Sequence, residues 1–209
     1  MKTLAIGRSC WIFMVLLFSE VLPAQTDSQH TTLSPDPLTT EQIAIYRAVI
    51  SDYLRDSKDK LNIADTTESP DQDALDDTAC VKGLDVDKTH RAISVHKLDS
   101  LAAGDPQLAL VHHDGQEQLI EQNDPQKLLK RAIDDHQKVM EQELDNSIKK
   151  AFETGLFTLS EIVFDRQHRH AVVTYSFVCG GLCGSGNRLV LKKVGRKWKI
   201  TKRCGGWVS

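Results

Sequence analysis

The chain contains no apolar run near the roughly 20 residues that a membrane-spanning helix needs; the longest, Cys10 to Phe18, has nine. Past that run, a helical membrane protein is excluded. Aromatic residues make up only 6% of the chain, which argues against a nucleic-acid partner, because single strands are held by stacking on aromatic platforms. There is no C-x-x-C pair, so a zinc centre built from the cysteines and a histidine lacks its usual ligand spacing. Acidic residues vanish after Asp165: from Arg166 to Ser209 there is no Asp or Glu, against ten Lys and Arg.

What is present begins with an export signal. Lys2 and Arg8 precede the nine-residue apolar run, and Leu22-Pro23-Ala24 offers small Ala24 at a cleavage position. Residues 1–24 read as a removed signal peptide, with a retained short anchor as the alternative, since Leu22 suits the cleavage enzyme poorly. The expected location is exported, periplasmic or secreted. Residues 25–38, rich in Thr, Ser, Gln, Asp and Pro, read as a flexible leader. A single α+β domain then occupies 39–209, within the usual size of one domain.

Losing Cys10 leaves Cys80, Cys179, Cys183 and Cys204, an even number in an oxidising compartment. Two disulfides follow. Cys179 with Cys183 is the favoured pair, because closing so short a loop costs little entropy and Gly180-Gly181 tolerates strained backbone angles. Cys80 then pairs with Cys204.

Thr39 and Gln42 form a capping box, and Ile43, Tyr46, Val49, Ile50, Tyr53 and Leu54 recur at helical spacing, predicting a first helix that ends near Ser57. The acidic stretch from Ser69 to Asp87 reads as a solvated loop tied down by Cys80; it lacks the glycine and distal glutamate of a calcium-binding EF-hand. Ile93, Val95 and Lys97 alternate like a short strand, as do Ala109 to Val111. Asp124 as N-cap and Pro125 at the first position open one long helix of about eight turns, its apolar face running from Leu128 through His136 to Phe152, with Gly155 as its stop. His136 on that face reads as a core histidine. Beyond Gly155 the period becomes twofold. Ile162 to Phe164, His170 to Cys179, Arg188 to Val194 and Lys197 to Cys204 form an antiparallel meander, with Gly195-Arg196 as a type II′ turn. The fold class is therefore α+β, with helices packed on one face of a C-terminal antiparallel meander.

The chain's 26 Lys and Arg and 29 Asp and Glu are unevenly divided. Without the signal's Lys2, Arg8 and Glu20, the part before Arg166 carries about 14 net negative charges and the rest ten positive ones. A two-residue turn at Gly195-Arg196 pairs Lys192 with Lys199 and Arg188 with Arg203 on one face, and Leu191 with Ile200 and Lys193 with Trp198 on the core face. Like charges directly opposite one another are unfavourable. Arg188, Lys192, Lys197, Lys199 and Arg203 are thus the candidate anion-binding residues, for an anionic envelope component, unless the protein's own acidic half covers them; another protein is the other expected partner.

For chemistry, His168 and His170 at a strand start can point to one side, and Asp165 stands nearby as an acid-base partner. His112-His113 with Asp114 offers similar groups in a loop. No metal and no cofactor are expected. The segment from Cys179 to Asn187 fits no nucleophile elbow, since residues 183 and 187 are Cys and Asn where glycines are needed. It fits no phosphate cradle either, because a strand follows. It reads as a wide, disulfide-pinned hairpin loop with glycines at positive φ.

That loop, C-G-G-L-C-G-S-G-N, together with G-R-K-W-K-I and the terminal Gly206-Trp207-Val208-Ser209, resembles uncharacterised exported bacterial proteins that share a C-G-x-L-C-G-x-G loop and a G-x-W-K turn. The resemblance covers about the last 50 residues and implies export from a bacterium, with no activity attached. The final hairpin also resembles that of cone-shaped NTF2-like or cystatin-like domains, folds that host enzymes and binding modules alike. The leading expectation is a non-catalytic exported binding or interaction domain acting through its cationic C-terminal sheet or the glycine loop. The alternative is a hydrolase or isomerase with a pocket between the long helix and the sheet, using His168 or His170 with Asp165.

Overall fold

The computed structural model describes residues 36–55, 57–70, 78–86 and 95–209, all within one compact unit. The expected signal peptide, the leader before Asp36, residues 71–77 and 87 of the acidic stretch, and Ile93 of the expected short strand lie outside the described residues. Pairing starts slightly upstream of Thr39: β1 (Asp36–Pro37) runs parallel to β3 (His96–Lys97), and Leu38 is buried.

The first helix, α1 (Thr40–Tyr53), has the expected reciprocal cap between Thr39 and Gln42 and buries Ile45, Tyr46, Val49 and Ile50. It ends at Leu54, three residues short of the expected Ser57. Next come β2 (Leu61–Ala64), a single turn α2 (Thr78–Val81) that carries Cys80, β3, the short α3 (Asp99–Ala102) and β4 (Leu108–Val111). His112 and His113 do not lie in a loop. They open a helix, α4 (His113–Gln122), of which His112 is the N-cap.

The expected long helix is two helices, α5 (Pro125–Asp134) and α6 (Glu141–Thr154). α5 ends in a Schellman arrangement: the His136 amide donates to Ile133 O at 3.2 Å and the Gln137 amide to Ala132 O at 2.8 Å. His136 is the residue that turns the chain, at φ 54. It is exposed, not buried in the core. Ile133 and Met140, which flank the turn, are also turned out, at 73% and 68% exposure.

The remaining strands are β5 (Leu156–Leu159), β6 (Val163–Phe164), β7 (His170–Gly180), β8 (Cys183–Val194) and β9 (Lys197–Val208). One seven-stranded sheet results, in the order β4-β2-β5-β7-β8-β9, with β6 beside β7. β2 is parallel to β4 and β5, and every other pairing is antiparallel. The class is α+β, with the expected C-terminal meander in β7, β8 and β9. Alternation sorts the sheet into two faces. Val173, Tyr175, Phe177, Leu189, Leu191 and Trp198 meet α1 in the main core. On the other face α2 covers Val172 and Val190 through Cys80 and Val81, and α4 covers Leu156 through Ile120. Helices thus pack on both faces. Among the described residues no helix is long and apolar enough to cross a membrane.

Both expected disulfide pairs are in place, Cys80 with Cys204 and Cys179 with Cys183, at Cα separations of 5.7 and 5.0 Å. The β8–β9 turn is also as expected, with Gly195 at φ 62 and Lys192 opposite Lys199, Leu191 opposite Ile200 and Lys193 opposite Trp198. The register then departs from a simple hairpin. A bulge at Thr201 sets Val190 opposite Lys202, Leu189 opposite Arg203 and Arg188 opposite Cys204. The Thr201 hydroxyl donates to Val190 O at 3.1 Å, and this single inserted residue separates Arg188 from Arg203.

Candidate functional site

The bulge decides the fate of the candidate anion-binding face. It moves Arg203 to the α1 side of the sheet, where its guanidinium bonds Asp52, which also receives Arg55. Arg188 is 9% exposed, between Thr174 and Cys204 on the neighbouring strands. Lys193 reaches Glu41 at 2.5 Å and Arg166 reaches Asp85 at 3.6 Å. The acidic half therefore covers part of the basic tail. Of the five candidates, Lys192, Lys197 and Lys199 stay together on an exposed surface, Arg188 and Arg203 having left the group.

Asp165 and His170 are brought together. The His170 Nδ1 lies 2.8 Å from Asp165 Oδ2, while Asp165 Oδ1 accepts the amides of Arg169 at 2.7 Å and His170 at 2.9 Å. Burial works to raise the Asp165 pKa, but the His170 and Arg169 bonds and the His170 ring outweigh it and hold the carboxyl below the usual carboxylate range. His168 lies outside the strand, at φ 50 in the turn, and stacks on Phe164 at 4.8 Å. Strand spacing therefore does not govern the two histidines.

A second pair was not legible in the sequence. His96 Nδ1 meets both oxygens of Glu161, at 2.8 and 2.9 Å, with Glu161 buried. The His96 amide donates to Glu161 Oε1 at 3.0 Å, the Thr67 hydroxyl bonds the same oxygen, and Gln42 of the α1 cap approaches the outer ring nitrogen at 3.4 Å. Nearby, burial and then the Glu161 charge push the Tyr46 phenol far upward, so that it stays protonated and donates to Ser160 O at 3.0 Å. In each His–carboxylate pair one carboxylate oxygen also accepts neighbouring backbone or hydroxyl groups, and the other meets the histidine ring. Neither pair lines any of the cavities described below.

Among the described residues, His113, Asp114 and Glu117 have donor atoms close enough together to hold a metal ion. Glu68 adds an oxygen 3.8 Å from the His113 ring. Every member sits at the surface with side-chain exposure from 38% to 82%, and the His113 ring stands 3.8–3.9 Å from each carboxylate.

The glycine loop is tighter than expected. β7 runs to Gly180 and β8 starts at Cys183, leaving Gly181 and Leu182 as the turn. Only Gly180, at φ 144, has a positive φ between Cys179 and Asn187. Gly181 serves close approach instead: its amide donates to Asp124 Oδ2 at 3.1 Å, and a methyl group on it would stand 2.6 Å from Gln126 Oε1. Asp124 at the same time caps α5 through the Gln126 amide. Gly184 and Gly186 form a trough for the Trp207 indole, which a methyl group at Gly186 would overlap. The hairpin is thereby docked on the start of α5 at one side and covered by Trp207 at the other.

Under this hairpin lies a cavity of about 500 Å³, within the roughly 300–1,000 Å³ of small-molecule sites. Its walls are Leu129, Leu144, Ile148 and Phe152 from α5 and α6, with Phe177 and Val208 from the strands and Leu182 from the hairpin turn. The α5 and α6 side chains are the apolar stripe that the sequence assigns to a core. Here they form a wall open to solvent, with Leu129 at 40% exposure and Phe152 at 56%. At the inner end Phe152 stacks on Phe177 at 6.2 Å, and Tyr53 packs between Phe177 and Phe157, at 5.9 and 4.8 Å. Burial, and then Tyr175, push the Tyr53 phenol up to about 12. A pocket between the C-terminal helices and the sheet therefore exists, but the histidines expected to serve it lie elsewhere.

No protein-family model matches this chain, and no curated protein or solved structure gives a significant match to it.

Proposed function

We propose that this protein is a non-catalytic exported binding domain, and that its site is the cavity between α5, α6 and the Cys179–Cys183 hairpin, where it holds a small apolar molecule. The observation that carries this reading is the lining: a predominantly aliphatic and aromatic set of side chains left open to water on a concave surface, with Asp124, Gln126, Ser185 and Ser209 as its polar members. Two disulfides support an oxidising compartment, periplasmic or external, as does the resemblance of the C-G-x-L-C-G-x-G loop to exported bacterial proteins. A catalytic role for His170 or His168 has less support, because Asp165 is committed to its own turn and His168 to Phe164.

The test uses the neutral fluorescent probe N-phenyl-1-naphthylamine. The folded, oxidised protein is expected to enhance its emission saturably. Leu129→Asp and Ile148→Asp are each expected to weaken binding by about tenfold or more, from the loss of apolar contact, with unchanged circular dichroism because both side chains are surface-exposed. A wild-type protein that leaves the probe dark sinks the reading.

A further inference from the structure

We infer that the natural occupant is an alkyl chain ending in a carboxylate, with its chain in the apolar cavity and its head among Lys58, Lys60 and Lys149. This rests on the binding reading above and adds the ligand's class. The aromatic side chains at the end of the apolar cavity have a second cavity beside them: Tyr53, Phe152 and Phe177 also line a space of about 780 Å³. There the lining changes character, with Lys60 and Lys149 at the opening. A third cavity shares Tyr53, Ser57 and Asp59 with the second and adds Lys58.

These lysines differ from the other cations nearby. Arg55 and Arg203 are both held by Asp52. Lys58, Lys60 and Lys149 have no carboxylate within ion-pair distance among the described residues. Of the acids that share these linings, Asp52 is paired with Arg55 and Arg203 and Glu153 with Lys150 at 3.8 Å, while Asp59 accepts the neutral Ser57 hydroxyl at 3.0 Å. Across the three linings the side chains pass from mostly aliphatic, through aromatic, to a charged set in which Arg55, Lys58, Lys60, Lys149 and Arg203 outnumber Asp52, Asp59 and Glu153. A neutral hydrocarbon matches only the first two parts, and an alkylammonium meets like charge at the third. A fatty carboxylate matches all three, its charge worth more beside a low-dielectric wall than in open water.

The experiment is displacement of N-phenyl-1-naphthylamine from the intact oxidised protein by dodecanoate, dodecanol and dodecylammonium at pH 8. Dodecanoate is expected to displace the probe at about tenfold lower concentration than dodecanol, and dodecylammonium to be the weakest. The tenfold gap is expected to close in 1 M salt, where charges are screened within about 3 Å. It is also expected to close in the triple variant Lys58→Glu, Lys60→Glu, Lys149→Glu, with dodecanol unaffected; unchanged dodecanol displacement also shows that the variant is folded. If dodecanol and dodecanoate displace equally, or dodecylammonium is best, the inference is overturned while the apolar binding reading stands. If the probe itself does not bind, that reading has failed first.

Discussion

Asp165 shows how much one carboxylate does in a short turn. Its Oδ1 takes two amides and its Oδ2 a ring nitrogen, which closes the connection from β6 to β7 and leaves no oxygen directed at a substrate. Because the folded pKa is depressed, the stabilisation is fully present above the unfolded value of about 3.9 and is lost as pH falls through the folded value. Asp165→Asn is therefore expected to be less stable than wild type at pH 7, with the difference shrinking as denaturation is repeated toward pH 3. A gap that stays constant over that range would mean that the charge contributes nothing. The sequence identified Asp165 and His170 as neighbours because five residues separate them across a turn. It could not identify His96 and Glu161, 65 residues apart, whose meeting depends on β3 folding back beside α1. The glycines were legible as special but were assigned the wrong reason: Gly181, Gly184 and Gly186 are selected by what lies against them, Gln126 and Trp207, and not by their φ.

Elements whose ends carry chemical markers were readable. α1 has its capping box, the β8–β9 turn its glycine, and α5 its Asp124-Pro125 start. The break between α5 and α6 carries no glycine or proline, and the apolar stripe continues in register on both sides of it. What ends α5 is a histidine in the left-handed conformation, a position that glycine usually fills and that histidine tolerates better than most side chains. This yields a test that separates one helix from two. His136→Gly is expected to raise stability by a few tenths to about 1 kcal/mol, since glycine adopts this φ without cost; inside a continuous helix the same change would lower it by about as much. Thermal or urea denaturation reads the sign. β2 and β5 were missed because each is only four residues long and buried without alternation. The bulge at Thr201 was missed because nothing in a strand's sequence shows that one residue is extra until its partner is placed. That one residue undid the expected pairing of Arg188 with Arg203.

Across the whole molecule, the two disulfides act on very different lengths of chain. Cys80 and Cys204 are 124 residues apart, Cys179 and Cys183 four. If disulfides act by restricting the unfolded chain, removing the first as a Cys→Ser pair should cost about 4–5 kcal/mol and removing the second about 2. Urea midpoints of the two double variants would check this, and equal losses would show that local packing outweighs chain entropy. Only nine aromatic residues lie beyond residue 24, and five of them, Tyr53, Phe152, Phe157, Tyr175 and Phe177, gather beside the cavities. That clustering escapes any reading by composition, because it is drawn from two helices, α1 and α6, and two strands, β5 and β7.

The order of the sheet leaves β9 as its last strand, twelve residues long, with one ladder on β8 and no described strand beyond it. A strand of that length invites another copy to pair along it, the first step toward aggregation. Lys197, Lys199, Lys202 and Arg203 stand on this strand with no acidic residue among them. A second chain arriving edge to edge would set cation against cation at close spacing. The missing acids of the tail thus have a consequence that needs no ligand: a like strand approaching the open border of the sheet meets Lys197 and Lys199 with no acidic residue on the strand to offset them.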